Sequence, residues 1–187
     1  MKKFQNQYRI PSARLQHWDY RWAGAYFITI CTNDRQHYLG EIENGEMILS
    51  NAGVVADALW YEIPNHAQNV KLGAFVVMPN HVHGVLILND NAMTHVETLH
   101  ATSLPTSTST NKNEQMMNIS PKPNSISTII RSYKSAVTKH VHRLGFDFEW
   151  QSHFHDHIIR DDESYQTITN YIINNAANWQ KDKFFNQ

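Results

Sequence analysis

Two histidines separated by a single residue, His81 and His83, interrupt the most apolar window of the chain, FVVMPNHVHGVLIL from Phe75 to Leu88. Side chains alternate between faces along an extended segment, so the two imidazoles point one way and Val82 the other. Removing two polar rings from water costs roughly 1–3 kcal/mol each unless they find partners. Such rings can be core histidines satisfied by hydrogen bonds, or they can share a ligand. Far along the chain, Tyr171 and Asn175 stand four residues apart, a spacing that puts them on one face of a helix a turn apart. The plainer reading of Tyr171 is core packing with its hydroxyl at the rim. Taken together, two imidazoles and an amide oxygen offer a divalent cation three protein ligands and leave positions open, which suits catalysis better than structure. A phenol with a pKa of about 10 is a weak nucleophile at neutral pH, but a phosphate neutralised and oriented by a cation is open to its attack. Tyrosine, unlike water, keeps the phosphoryl group on the protein. A strand can then be cut and rejoined without an external energy source, which is the chemistry of DNA rearrangement.

The elements that must position these groups follow from periodicity. AYFITICT, rich in aromatic and β-branched residues, predicts a first strand over about Tyr26 to Thr32. YLGEIEN and EMILS flank Asn44-Gly45, a tight hairpin turn. Ser50 or Asn51 caps a helix to about Glu62, ended by Pro64. Extended structure returns over Val70 to Met78, breaks at Pro79-Asn80 and resumes through the histidine strand. A second long helix, capped by Ser125 or Ser127, runs to about Arg143 with Ile126, Ile129, Ile130, Tyr133, Val137 and Val141 inward and Arg131, Lys134, Lys139 and Arg143 largely outward. A short strand around His157 to Arg160 precedes a last helix, capped by Asp161 or Asp162 and running to about Trp179.

With 187 residues and 41% hydrophobic content the chain suits one domain with excursions. Residues 1–24 form a basic, aromatic arm, and 89–124, rich in Thr, Ser and Asn, read as a mobile loop. There is no apolar run of membrane-spanning length and no secretory signal, so a cytoplasmic location is expected. The lone Cys31 excludes an internal disulfide and a zinc ribbon. A formal net charge of -1 hides a partition: residues 1–35 carry +4, 36–114 carry -6, 115–146 carry +5 and 147–187 carry -4. Two basic segments on one side would make a footprint for phosphate, although either can also be an ordinary solvated face.

Four stretches, RLQHWDYRWAGAYFITICT, FVVMPNHVHGVLIL, IIRSYKSAVTKHV and WQSHFHDHIIRDDESYQTITNYIINNAANW, together resemble the single-tyrosine HUH transposases, especially the REP-associated tyrosine transposase branch. The resemblance implies a ferredoxin-like α+β sandwich, a central antiparallel sheet with helices packed on it. It implies Tyr171 as the nucleophile, His81, His83 and Asn175 as metal ligands, Mg²⁺ or Mn²⁺ as cofactor, and a 5′-phosphotyrosine intermediate on single-stranded DNA bearing hairpins of the REP type. A monomer and a homodimer both remain open. Arg14, Arg21, Arg131, Lys134, Lys139, Arg143 and His157 are the candidates for holding DNA, His157 as the best of the alternating set His153, His155 and His157. Where relatives often have Asn-Pro, this chain has Asn175-Ala176, which would let the last helix continue toward Trp179. Two other readings stand beside strand transfer: a domesticated hairpin-binding protein that rarely cuts, and a metal hydrolase in which water replaces Tyr171.

Overall fold

The aromatic and β-branched run after Gly24 forms β1 (Gly24–Cys31), the central strand from which the rest is hung. In the computed structural model, which describes residues 18–89 and 124–185, β1 is followed by the ribbon β2 (Gly40–Glu43) and β3 (Glu46–Leu49). Helices α1 (Asn51–Tyr61) and α2 (Ile63–His66) lead to β4 (Val70–Met78) and β5 (His81–Leu88). Helix α3 (Ile126–Arg143), β6 (His155–Ile159), α4 (Asp162–Ile173) and a short 3-10 turn at Trp179–Lys181 complete the order. The main sheet runs β4-β5-β1-β6 with every pairing antiparallel. Leaving the ribbon aside, the succession is the β-α-β-β-α-β of a ferredoxin-like fold, and the expected α+β class is what the structure has.

Local chemistry explains the element ends. Asn44 (φ 51°) and Gly45 (φ 82°) take the left-handed angles of a two-residue hairpin turn between β2 and β3. The side chains of Ser50, Ser125 and Asp161 accept hydrogen bonds from the backbone N–H of Gly53, Thr128 and Ser164, capping α1, α3 and α4. The last helix stops at Ile173 instead of continuing to Trp179. Asn174 Nδ2 donates back to the carbonyl of Asn170 (2.8 Å) and Asn178 Nδ2 to that of Asn174 (2.9 Å). The same carbonyls also accept from the backbone N–H of Asn174 and Asn178, while Asn175 N and Trp179 N donate three residues back to Ile172 and Ala176, so the chain leaves the α-helix through tighter turns without a proline.

Alternation along β1 divides the molecule into two layers. Tyr26, Ile28 and Ile30 face one side, where they join Val82, Leu86, Trp60 and the inner stripe of α3 in the main core. Phe27, Thr29 and Cys31 face the other side, which α4 covers through Ile172 packed with Val85 and Ile159. From the proposed arm, Trp18 Nε1 donates to the Tyr26 hydroxyl (3.1 Å), which donates to the carbonyl of Trp22 (2.8 Å). Trp18 and Tyr20 therefore pack on their own domain, while the Trp22 side chain is exposed; residues 1–17 and most of the 89–124 segment lie outside the described residues.

The β5 strand is pressed against α1 at Gly84. A Cβ there would lie 2.2 Å from Cζ2 of Trp60, a ring fully buried, stacked at 4.5 Å on Phe75 and met edge-on by Tyr133 at 5.3 Å. Trp60 has no room to retreat. Gly84→Ala is expected to destabilise the fold by about 1–3 kcal/mol or more through overpacking, read as a lowered urea midpoint; an unchanged midpoint would show that the layer can breathe there.

Candidate functional site

The register of β1 against β5 places Thr29 opposite His83 and Cys31 opposite His81, on the face that α4 covers. Both histidines are buried, and their rings meet at 4.4 Å. Each imidazole has a partner at Nδ1: His83 with Thr29 Oγ1 (2.8 Å), His81 with Asn80 Oδ1 (2.8 Å). The outer nitrogen of His83, Nε2, is 3.1 Å from the hydroxyl of Tyr171. Tyr171 donates in turn to Asp182 Oδ2 (2.9 Å), and Asn175 Nδ2 donates to the same oxygen (3.1 Å). The structure thus gathers His81, His83, Tyr171 and Asn175 around one carboxylate. Phe27 supports the group from β1, its ring 5.1 Å from His83 and 6.2 Å from Tyr171.

The short chain after α4 closes over this cluster. Phe184 lies against His81 at 4.5 Å, Trp179 at 6.0 Å, and the Phe184 N–H donates to Asp182 Oδ1 (2.8 Å). Arg35 stands over the Phe184 ring, its guanidinium carbon 4.7 Å from the centroid and its Nη1 buried without a partner. Asp34 and Arg35 both have left-handed backbones (φ 48° and 52°), a conformation costing roughly 1–2 kcal/mol per non-glycine residue.

Proton positions follow from donor bookkeeping. Because the Tyr171 O–H points at a carboxylate, the hydrogen shared with His83 sits on Nε2, and Nδ1 of His83 accepts from the Thr29 hydroxyl. A hydroxyl can equally accept, so Thr29 also serves the opposite tautomer, in which Nε2 is free. His81 differs: its Nε2 is buried with no partner, and so is Asn175 Oδ1. Buried polar atoms rarely stay unpaired. Both are good metal donors, and ligand atoms of His81, His83 and Asp182 all lie within 4.8 Å of one another. A donor set of two imidazoles, an amide oxygen and a carboxylate therefore fits a divalent cation.

Burial sets the electrostatics. It drives His83 down to about 3, against a weaker upward pull from Asp182, and His81 well below the ordinary histidine value, helped by the neighbouring His83. Tyr171 is raised, first by burial and then by the hydrogen bond to the Asp182 carboxylate.

The proposed DNA contacts are not gathered in the same way. Arg131, Lys139 and Arg143 are exposed on α3, which packs on the opposite face of the sheet from Tyr171. Lys134 is partly buried, its ammonium donating to the carbonyls of Gln151, Ser152 and His153. Arg21 is exposed and paired with Asp19 at 2.6 Å, and Arg14 lies outside the described residues. His157 pairs with Phe27 across β1 and β6, so it shares the face of the histidine pair, as does His155 opposite Thr29. Thr29, Asn80, Arg35 and Asp182 were not singled out from sequence. Thr29 had a signal, a polar residue at an alternating position in an apolar strand; Asp182 had none, being one acid between two lysines.

A solved structure, the REP-associated tyrosine transposase bound to a REP hairpin, matches with a TM-score of 0.56 at 18% identity, over 91% of this chain and 77% of that one. The chain has that fold, in keeping with the resemblance carried by its motifs. No family model matches the sequence. An uncharacterized protein of Haemophilus influenzae (strain ATCC 51907 / DSM 11121 / KW20 / Rd) is 33% identical over 178 residues, 93% of this chain and 92% of that protein. The chain belongs to one family with it.

The lowered histidines make stability depend on pH. Between about 3 and the ordinary value of 6.5 the unfolded chain binds a proton at His83 that the folded chain refuses. Stability is therefore full above that window and falls as pH drops through it, by up to about 1.4 kcal/mol per unit for each histidine. Urea unfolding at pH 7 and pH 5 should show a lower midpoint at pH 5, and His83→Gln should flatten the difference; an equal pH response in the variant would contradict this origin.

Proposed function

We propose that the protein is a DNA strand transferase that cuts and rejoins single-stranded DNA through Tyr171. The observation carrying this reading is the Tyr171 hydroxyl 3.1 Å from His83 Nε2, beside two buried donor atoms without partners, His81 Nε2 and Asn175 Oδ1. His81, His83 and Asn175, with Asp182 as a further donor, would hold Mg²⁺ or Mn²⁺, which supplies charge neutralisation and orientation of the scissile phosphate. Tyr171 Oη attacks phosphorus, the bond to the 3′ oxygen breaks, and the 5′ phosphate remains on the tyrosine; the 3′ oxygen takes up a proton from solvent and leaves as a hydroxyl, while the tyrosine proton passes to Asp182. Burial raises Tyr171, so its proton needs an acceptor as the new bond forms. It already lies on the hydrogen bond to Asp182 Oδ2. Attack by a 3′ hydroxyl on the phosphotyrosine reverses the sequence and rejoins a strand.

The substrate class we infer is single-stranded DNA with a hairpin, because a structural neighbour is bound to a REP hairpin. His157, on the site's face of the edge strand, is the predicted contact best placed to line the strand's path; Arg21 and the cations of α3 would serve the duplex stem at a distance from the chemistry. A second reading, a hairpin-binding protein with little cleavage, is favoured by one observation: Tyr171 and His83 are engaged with each other, and Asp182 with Tyr171.

Incubation of the full chain with labelled hairpin DNA and Mn²⁺ should yield a protein–DNA adduct that survives denaturation, abolished in Tyr171→Phe and by chelation, with hairpin affinity retained. An undiminished adduct in Tyr171→Phe would overturn the assignment of the nucleophile. Binding without any adduct in the native protein would select the second reading, and cleavage without an adduct would point to water as nucleophile.

A further inference from the structure

Asn80 is fully buried in the two-residue link between β4 and β5 and is held through its carbonyl and both ends of its side chain. Its carbonyl accepts from Thr32 N (2.9 Å), which pins the link to the end of β1; the Thr32 hydroxyl, 3.0 Å from the same carbonyl, shares its one hydrogen with the Gln36 carbonyl at 2.7 Å. Its side chain faces two ways. Nδ2 donates to the carbonyl of Phe184 (3.0 Å), and Oδ1 meets His81 Nδ1 (2.8 Å).

The orientation of this amide is forced by chemistry. The carbonyl of Phe184 can only accept, so the NH₂ group must face it and the amide oxygen must face His81. An amide oxygen can only accept, so His81 carries its hydrogen on Nδ1. A neutral imidazole has a single N–H, which leaves Nε2 as a lone pair, and Nε2 is the buried atom with no partner. We propose that Asn80 is a positioning residue that holds His81 in the Nδ1–H tautomer, so that its metal-facing nitrogen is always the free one, and that the same amide anchors residue 184 over the site. The two histidines are then prepared differently: His81 by an amide that permits a single tautomer, His83 by the Thr29 hydroxyl, which permits both. Docking of the C-terminal segment and readiness of His81 share one side chain. Loss of the Phe184 carbonyl would free the amide to rotate and present its NH₂ group to His81, reversing the tautomer.

This inference rests on the reading that the site takes a divalent cation, and its test separates the two. Nitrogen-15 NMR of the metal-free full chain should show His81 as the Nδ1–H tautomer. Mn²⁺ binding, followed by electron paramagnetic resonance, should weaken by about 10–100-fold in Asn80→Ala, the usual effect of removing a group that orients a metal-binding histidine. Trypsin should cut more rapidly after Lys183 in the same variant. Asn80→Asp keeps an acceptor for His81 but sets a carboxylate against the Phe184 carbonyl; it should restore Mn²⁺ affinity while leaving the segment easy to cut. An Nε2–H tautomer at His81 in the native protein would overturn the proposal even if Asn80→Ala failed to fold, as would unchanged Mn²⁺ affinity in a folded Asn80→Ala. Native protein that binds no Mn²⁺ would overturn the metal reading instead, with the tautomer still deciding the role of Asn80.

Discussion

The register of β1 against β5 is the constraint on which everything else depends. Side chains alternate with a period of two, so a slip of one residue would carry His81 and His83 into the main core and bring Val82 to the face under α4. Several contacts resist the slip. Val82 and Leu86 are fully buried in the main core, Gly84 admits the Trp60 ring where any side chain would clash, and the Thr29 hydroxyl meets His83. Packing on one face thus aims the chemistry on the other. The thermodynamic demand for a buried apolar stripe and the functional demand for two aligned imidazoles are met by the same alternation.

Burying two histidines under a helix has an electrostatic consequence. Both stay neutral well below the ordinary histidine range, so their nitrogens remain available as donors across a wide span of pH. The same burial makes Tyr171 a poorer acid. The site compensates with a carboxylate from outside α4: Asp182 accepts from Tyr171 and Asn175 through one oxygen and from its own segment's backbone through the other. The hydroxyl is therefore poised between an imidazole and a carboxylate, in a network whose hydrogens can be rearranged without moving heavy atoms far.

Much of this was readable from the sequence, and the reasons are local. The aromatic and β-branched composition of AYFITICT identified β1, and the Ile126–Val141 stripe identified α3 because burial on a single helix face leaves a regular pattern. Asn44-Gly45 marked its turn because few residues tolerate both left-handed angles. His-x-His and Tyr-x-x-x-Asn survive in the linear chain because strand and helix geometry convert their spacing into shared faces. What was lost lies where no periodicity operates. The early end of α4 is hidden because asparagines whose amides bond back to the helix carbonyls look, in sequence, like ordinary polar helix residues. Asp182 reaches the site through an irregular segment whose path no local pattern encodes. The side of the sheet taken by α3 is a matter of topology, so nothing in the sequence tells that its basic residues, the candidates for holding DNA, stand across the sheet from Tyr171.

The central claim is that His81, His83 and Asn175 form a cation site next to Tyr171. Anomalous scattering from crystals of the full chain soaked in Mn²⁺ tests it most directly. One peak at ligand distance from His81 Nε2, His83 Nε2 and Asn175 Oδ1, with the Tyr171 hydroxyl turned away from His83, is the predicted result. A map with no peak between the two imidazoles, or with its peak on another cluster, would contradict the account.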